Sequence, residues 1–215
     1  MAQRKRLLDP IARNSEILFG LIMALTFTGS ISAATAGRDE VRTILVGAIG
    51  CNIAWGIVDA VMYLVTTITE RGRDLRTARA VRGAATPADA RTVIADALPP
   101  VVADALPPSA FDAVRDHIAA MPALPDHPRW HADDLRGAVG VFLLVVLSTF
   151  PVVIPFLIFD RTFVAMRVSN GVALLLLFVC GYQLGRYAAN RPWRTGLSMA
   201  LVGAALVALT MALGG

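Results

Sequence analysis

The sequence ILVGAIGCNIAWGIVDAVMYLVTTIT occupies residues 44–69, and its only charged residue is Asp59. The stretch is longer than the roughly 20 apolar residues that an α-helix needs to cross a bilayer. A carboxylate inside such a span costs about 2.5–3.5 kcal/mol even on the lenient insertion scales. It is retained where it faces a bundle interior, a partner or a water-filled path. The stretch therefore predicts a membrane span and marks Asp59 as a candidate carrier of protons or cations.

Four further segments have the length and composition of a span. Of the 215 residues, 56% are hydrophobic, which is too many for one soluble domain. No small-residue cleavage site follows the basic N-terminus, so the first apolar segment is predicted to be a retained span. The predicted fold is an all-α polytopic membrane protein with five transmembrane helices. The four additional segments contain no charged residue and cover 17–36, 137–159, 168–185 and 195–215.

The basic residues are distributed unevenly between the two sides of the predicted spans. Sixteen of the 20 Lys and Arg residues lie before the first span, between spans two and three, or between spans four and five. By the positive-inside rule, the N-terminus and the middle segment are cytoplasmic and the C-terminus is outside, in a cell (inner) membrane. We interpret the basic charge as a topology signal and expect no nucleic-acid partner. The remaining four are Arg38, Arg42, Arg161 and Arg167.

The middle segment divides the chain into three parts: 1–70 with the first two spans, 71–136 as a small helical cytoplasmic insert, and 137–215 with the last three spans. Thr86-Pro87-Ala88-Asp89 predicts a helix start, with a hydroxyl cap and a proline in the first turn. Pro99-Pro100 should end that helix, and Ser109 should cap the next one.

The last three spans have the composition of a scaffold. Pro151 and Pro155 remove backbone donors and should kink or break the third span. Gly196 and Gly203 provide the fifth span with small residues suited to close helix packing.

The first two spans carry the polar residues. Helical spacing places Asn52, Asp59 and Met62 (or Tyr63) on one stripe of the second span, and Glu16 and Met23 on one stripe of the first. The spans should be antiparallel, joined by a short turn at 37–42. At about 1.5 Å per residue, Asp59 should lie level with Met23, with Glu16 nearer the cytoplasmic rim. A carboxylate, an amide oxygen and one or two thioethers are thus predicted to converge.

This ligand mixture suits Fe²⁺, Mn²⁺ or Co²⁺ better than Mg²⁺ or Ca²⁺, which prefer oxygen alone. Asp59 can also take a proton when the cation leaves, because burial favours the neutral carboxyl. Exchange of metal for protons follows from these two properties. The alternatives are a structural pair of Asp59 with Asn52 or Asn170, packing roles for Met23 and Met62, and an interfacial role for Glu16. Cys51 and Cys180 are interpreted as small buried hydrophobic residues.

The insert contains a second group of possible metal ligands. Asp112, Asp116 and His117 can share one helical face, and His127 and His131 lie beside proline-rich turns. A cytoplasmic metal docking site is one interpretation, and ordinary surface residues are the other. The sequence has no Walker loop, nucleophile elbow or HExxH motif, so an ATP-driven pump or a hydrolase is not expected.

The chain resembles the vacuolar iron transporter family. The resemblance rests on Phe19-Gly20-Leu21-Ile22, on Cys51-Asn52-Ile53-Ala54-Trp55-Gly56, on the prolines of span three and on the glycine-rich last span. The layout of two spans, an insert and three spans is also similar. The family's first-span Asp-Gly pair corresponds to Phe19-Gly20 here, with Glu16 one turn earlier, and the insert has no glutamate cluster.

The resemblance implies a homodimer that exports Fe²⁺ or Mn²⁺ from the cytoplasm in exchange for protons, with no permanently bound cofactor and no enzymatic activity. Asp59 would be the coupling carboxylate, supported by Met23, Met62 and Asn52, with Glu16 at the cytoplasmic mouth. Two rival hypotheses stay open. One is a membrane scaffold whose basic insert binds a partner or anionic lipid, and the other is a carrier of another solute.

Overall fold

The computed structural model describes residues 10–29, 38–188 and 190–212. These residues form helices and connecting loops with no strand among them, so the all-α prediction is confirmed. Residues 30–37 and 213–215, at the ends of the first and fifth predicted spans, lie outside the described residues. The helices are α1 (Pro10–Gly29), α2 (Arg38–Gly83), α3 (Pro87–Asp96), α4 (Pro100–Ala105), α5 (Pro108–Ala120), α6 (Ala132–Ile158), α7 (Thr162–Tyr187) and α8 (Pro192–Ala212).

Four of the described helices are long and apolar enough to cross a membrane. They are α2, α6, α7 and α8, in their parts Val41–Gly83, Ala132–Ile158, Thr162–Tyr187 and Pro192–Leu209. In α1 the apolar part is Asn14–Thr26, which is shorter than a span. The chain is therefore a multi-pass membrane protein, and the count of five spans stays a prediction.

The chain divides into two compact units. The first contains the chain up to Tyr63 and from Asp133 onward, and the second is Leu64–Ala132. The second unit overlaps the predicted insert, whose cytoplasmic location stays a prediction. Helix α2 is continuous from Arg38 to Gly83, so it extends well beyond the predicted end of span two at Thr69.

The core of the first unit forms around α1. Leu18, Leu21 and Leu25 are buried and lie on one face of α1 because their spacing of three and four residues follows the helical repeat. They pack with Val152 of α6 and with buried residues of α7. The face of α1 that carries these leucines is therefore buried against α6 and α7. The α7 residues are Ala173, Leu177 and Cys180.

Helix α6 lies against both α1 and α2 at glycines. A Cβ on Gly20 would come 2.9 Å from the Val145 carbonyl oxygen, and one on Gly56 would come 3.0 Å from the Phe142 ring. Only glycine allows backbones to approach this closely. Helix α6 therefore packs against both α1 and α2.

Helix α6 continues through both of its prolines, so the predicted break does not occur and the alternative of a kink stays a prediction. The bonding pattern resumes directly afterwards, since the Phe159 N–H donates to the Pro155 carbonyl at 3.0 Å. Neighbouring helices and local adjustments compensate for the lost backbone bonds inside a membrane helix.

The small residues of α8 pack as predicted. A Cβ on Gly196 would lie 3.0 Å from the Phe178 carbonyl oxygen, and one on Gly203 would lie 2.9 Å from Leu174. The close contact of α7 with α8 thus depends on these two glycines.

The second unit has its own small core, formed by Val81, Ala90, Ile94 and Phe111. The predicted start of α3 is confirmed, because the Thr86 side chain accepts from the backbone N–H of the first turn in a capping box. The predicted Ser109 cap is wrong. Helix α5 begins one residue earlier at a proline, which needs no N–H partner in the first helical position.

Two arginines of α2 hold the loop that follows α5. The Arg79 guanidinium donates to the Pro125 and Asp126 carbonyls at 2.6 and 2.8 Å. Arg82 donates to the Ile118 carbonyl at 2.9 Å and to the Met121 carbonyl at 2.5 Å. These bonds satisfy carbonyls at the end of α5 and fix the loop to α2.

Candidate functional site

Three side-chain pairs join α1 to α2, and we call them the α1–α2 ladder. The side chains of Glu16 and Asp59 interact through a hydrogen bond, and we name this pair the carboxyl level. Next comes the aromatic level of Phe19 and Trp55, whose ring centroids are 5.5 Å apart at an interplanar angle of 68°. The sulfur level follows, where the Cys51 Sγ donates to the Met23 Sδ at 3.7 Å.

The ladder corrects the predicted register of the two helices. The sequence predicts Met23 opposite Asp59, but the structure pairs Met23 with Cys51, which is eight residues or about 12 Å nearer the start of α2. Glu16, expected nearer the rim than Asp59, instead lies level with it. Because α2 already begins at Arg38, most of the predicted 37–42 turn is helical, and this displaces α2 relative to α1.

The carboxyl level brings two acids together between α1 and α2. Glu16 and Asp59 are both half-buried, and the Asp59 Oδ2 is buried without a hydrogen-bond partner. Two carboxyl groups share a hydrogen bond only when one of them carries a proton, since an ionised carboxylate accepts hydrogen bonds but has no hydrogen to donate. The level lies near the first residue, Asn14, of the apolar part of α1. It can therefore hold one proton, or a cation in its place.

Asn52 lies behind the ladder, against α6. Its side chain is 1% exposed, its Nδ2 donates to the Thr149 Oγ1, and its Oδ1 is buried without a partner. Gly56 and Tyr63 lie on the same side of α2, and both contact α6. The structure thus brings Asn52 close to the ladder but directs its bonded nitrogen at α6.

Met62 lies on the side of α2 that faces the ladder, three residues after Asp59, but it is 54% exposed. In the register of the ladder, Met62 lies level with the first turns of α1, which begins at Pro10. Few residues of α1 can therefore cover the Met62 side chain. The role of Met62 as a ligand beside Asp59 therefore stays a prediction.

The sequence interpretation missed Cys51, Trp55 and Phe19 as members of this site. The spacing of residues 51, 55 and 59, four residues apart, indicates that they share one face of α2. The register of α2 against α1, which places these residues opposite Met23, Phe19 and Glu16, could not be read from the sequence because it depends on where α2 begins.

The second group of predicted ligands is not assembled in the insert. Asp112 pairs with Arg91 at 2.6 Å and with Arg115 at 3.4 Å, and Asp116 pairs with Arg115 at 2.8 Å. The hydrogen bond from Arg91 holds the pKa of Asp112 below its ordinary value, and the same bond raises the pKa of Arg91. Among the described residues, no three His, Cys, Asp or Glu side chains group together as a metal site. His117, His127 and His131 thus have no such cluster to join.

Comparison with known proteins identifies the family. The model of the VIT family matches residues 64–215, which is more than half of the chain, so the protein belongs to this family and the predicted resemblance is confirmed. The matched part begins after Tyr63, so the α1–α2 ladder precedes it. No curated protein matches the chain. Family membership indicates a membrane protein that transports metal ions, and VIT proteins are transporters rather than enzymes.

Proposed function

We propose that this VIT family member carries divalent transition-metal cations, Fe²⁺ or Mn²⁺, out of the cytoplasm in exchange for protons. The observation that carries the proposal is the carboxyl level, where Glu16 meets Asp59 and one Asp59 oxygen has no partner. A half-buried acid pair in an apolar helix bundle is costly, so a function that uses it accounts for its retention.

The exchange follows from the chemistry of the two acids. Without metal, the pair shares one proton. A divalent cation that reaches the pair from the cytoplasm displaces this proton and is bound by carboxylate oxygens, which suit Mn²⁺ and Fe²⁺. When the cation moves on, a proton returns to the pair from the other side. Met62, exposed and one helical turn from Asp59, is placed to contact the cation before it reaches the acids.

A second copy of the chain would complete the path. Phe19 and Trp55 are 44% and 41% exposed, so one side of the ladder is open in the single chain. Apolar residues of α2 continue this open surface, including Val58 and Val61. A homodimer that pairs these surfaces would separate the ladder from lipid and would give Met62 a partner across the interface.

The scaffold hypothesis has less support. Arg79 and Arg82 already donate to carbonyls of the insert, and Arg91 and Arg115 are paired with its aspartates. Fewer arginines are therefore available to bind an acidic partner or anionic lipid than the sequence suggests.

Transport in proteoliposomes tests the proposal. The purified full-length protein is reconstituted with a pH gradient, and uptake of Fe²⁺, Mn²⁺ and Co²⁺ is followed together with internal pH. We expect metal movement coupled to opposite proton movement. Asp59→Asn and Glu16→Gln should each slow it by about tenfold or more, since a ligand is lost.

Asp104→Asn is the matched control, because it removes an acid from α4 of the insert and should leave uptake unchanged. Equal uptake by wild type and Asp59→Asn would refute the role of the carboxyl level. An absence of metal uptake by the wild type would favour the scaffold or a different solute.

A further inference from the structure

The sulfur level is a feature of the ladder that carboxylate chemistry does not explain. The Cys51 Sγ and the Met23 Sδ, 3.7 Å apart, belong to opposite helices, and both residues are half-buried. Cys51 is a free cysteine. A thiol and a thioether that face each other across two helices form a pair of soft ligands.

The sulfur level is separate from the carboxyl level. Met23 is seven residues after Glu16 on α1, or about 10 Å along the helix axis. The edge-to-face rings of Phe19 and Trp55 lie between the two levels. A cation bound by the sulfurs therefore cannot contact the acids at the same time, and the ladder provides two successive positions of different chemistry.

We infer that Cys51 and Met23 bind the transported cation at a second position and make the protein favour sulfur-binding cations, such as Fe²⁺, Co²⁺ and Cd²⁺, over Mn²⁺. Thiolate and thioether ligands select softer metals, whereas Mn²⁺ is suited by oxygen. Binding converts the Cys51 thiol to a thiolate, so each metal ion that binds releases one proton to water. The inference rests on the proposed function of the same ladder, and it adds a determinant of specificity.

Cys180 offers a matched control within the chain. It is also a free cysteine, but it is buried among leucines and alanines of the α1–α7 core. A lone buried thiol in such surroundings packs as a small hydrophobic residue. The two cysteines are thus expected to differ in metal binding although both lie in apolar helices.

Optical titration of the purified full-length protein with Co²⁺ tests the inference without transport. Thiolate ligation of Co²⁺ gives a sulfur-to-metal charge-transfer band in the near ultraviolet, which oxygen ligands do not give. We expect the band in the wild type and in Cys180→Ser, and its loss in Cys51→Ser. Met23→Leu should keep the thiolate but weaken apparent Co²⁺ affinity by about tenfold or more.

Absence of the band in the wild type, or its persistence in Cys51→Ser, would overturn the inference. Its loss in Cys180→Ser, with that variant still eluting as the folded protein, would also do so. Metal competition in proteoliposomes gives a second measurement. Cys51→Ser should lower the ratio of Co²⁺ to Mn²⁺ uptake by about tenfold, and an unchanged ratio contradicts the proposed selectivity.

The two proposals fail in different ways. If the wild type shows the Co²⁺ band but moves no metal, the sulfur level stands as a binding site and the transport proposal fails. If metal moves and depends on Asp59 while the band is absent, transport stands and the sulfur level has no role as a ligand.

Discussion

The buried hydrogen bond behind the ladder gives a stability prediction whose size can be worked out. Thr149 lies on α6 with 2% of its surface exposed, and its hydroxyl accepts from the Asn52 Nδ2 while donating to the Val145 carbonyl. The Asn52 Oδ1 already lacks a partner. The substitution Thr149→Val keeps the shape of the side chain but leaves both ends of the Asn52 amide unsatisfied.

The expected loss of unfolding free energy is about 1–2 kcal/mol. A buried polar group that loses its partner costs about 1–3 kcal/mol in soluble proteins. Side-chain hydrogen bonds in membrane proteins average only about 0.6 kcal/mol, with a maximum of about 1.7, because the unfolded chain also finds partners in the bilayer. Asn52 should fall in the upper part of the membrane range, because its second polar atom has no alternative partner.

A double-mutant cycle measured by thermal or detergent-induced unfolding separates this effect from packing. Thr149→Ser keeps the hydroxyl and should lose only about 1 kcal/mol, from one missing methyl. The combination of Asn52→Leu with Thr149→Val removes both polar groups, so it should recover most of the stability that Thr149→Val loses. The reasoning is refuted if Thr149→Val is as stable as the wild type, or if the two substitutions are simply additive.

Three further predictions concern the contact between α2 and α6, the start of α3, and the ion pair of Asp112 with Arg91. Gly56→Ala should cost about 1–3 kcal/mol of unfolding free energy, because the new Cβ would lie 3.0 Å from the Phe142 ring. Thr86→Ala should destabilise the second unit by about 1 kcal/mol and increase hydrogen exchange at the start of α3, because it removes the capping box. Asp112→Asn should lower stability at neutral pH through loss of the Arg91 pair. Because the folded pKa of Asp112 lies below the ordinary 3.8, this difference should persist down to about that pH and vanish as the pH falls through the folded value.

Each of these predictions has a control within the chain. Gly47→Ala meets open space and should be neutral or stabilising, so an equal loss at both glycines would contradict the packing argument. Thr92→Ala removes a hydroxyl from the exposed surface inside α3 and should leave exchange at the start of α3 unchanged. If the effect of Asp112→Asn were independent of pH, the ion pair would not be its cause.

The sequence predicted the features that depend on local chemistry. The lengths of the apolar segments predicted the long apolar helices. The Thr86 cap and the Pro99-Pro100 break predicted where the helices of the insert begin and end. The glycines of α8 were recognised as packing positions, and they do contact α7. These features need no knowledge of which helix lies opposite which.

The arrangement of the site depends on long-range packing, and there the predicted register of α1 against α2 was wrong. Whether Met23 faces Asp59 or Cys51 depends on the starting residue of α2, which changes which residues are level without changing any local pattern. Likewise, the pairing of Asp112 with Arg91 depends on the packing of α3 against α5, so the sequence alone did not reveal this ion pair.

The ladder places an aromatic contact between two polar levels of α1 and α2. The ring of Phe19 packs against Trp55, so this position of α1 is apolar. Glu16, one turn earlier, provides the acid and meets Asp59 there. An apolar aromatic contact thus separates the carboxyl level from the sulfurs of Met23 and Cys51. Helix α6 contacts α1 at Gly20 and α2 at Gly56, each next to a residue of the aromatic level, so the register of the carboxyl and sulfur levels depends on the packing of α6.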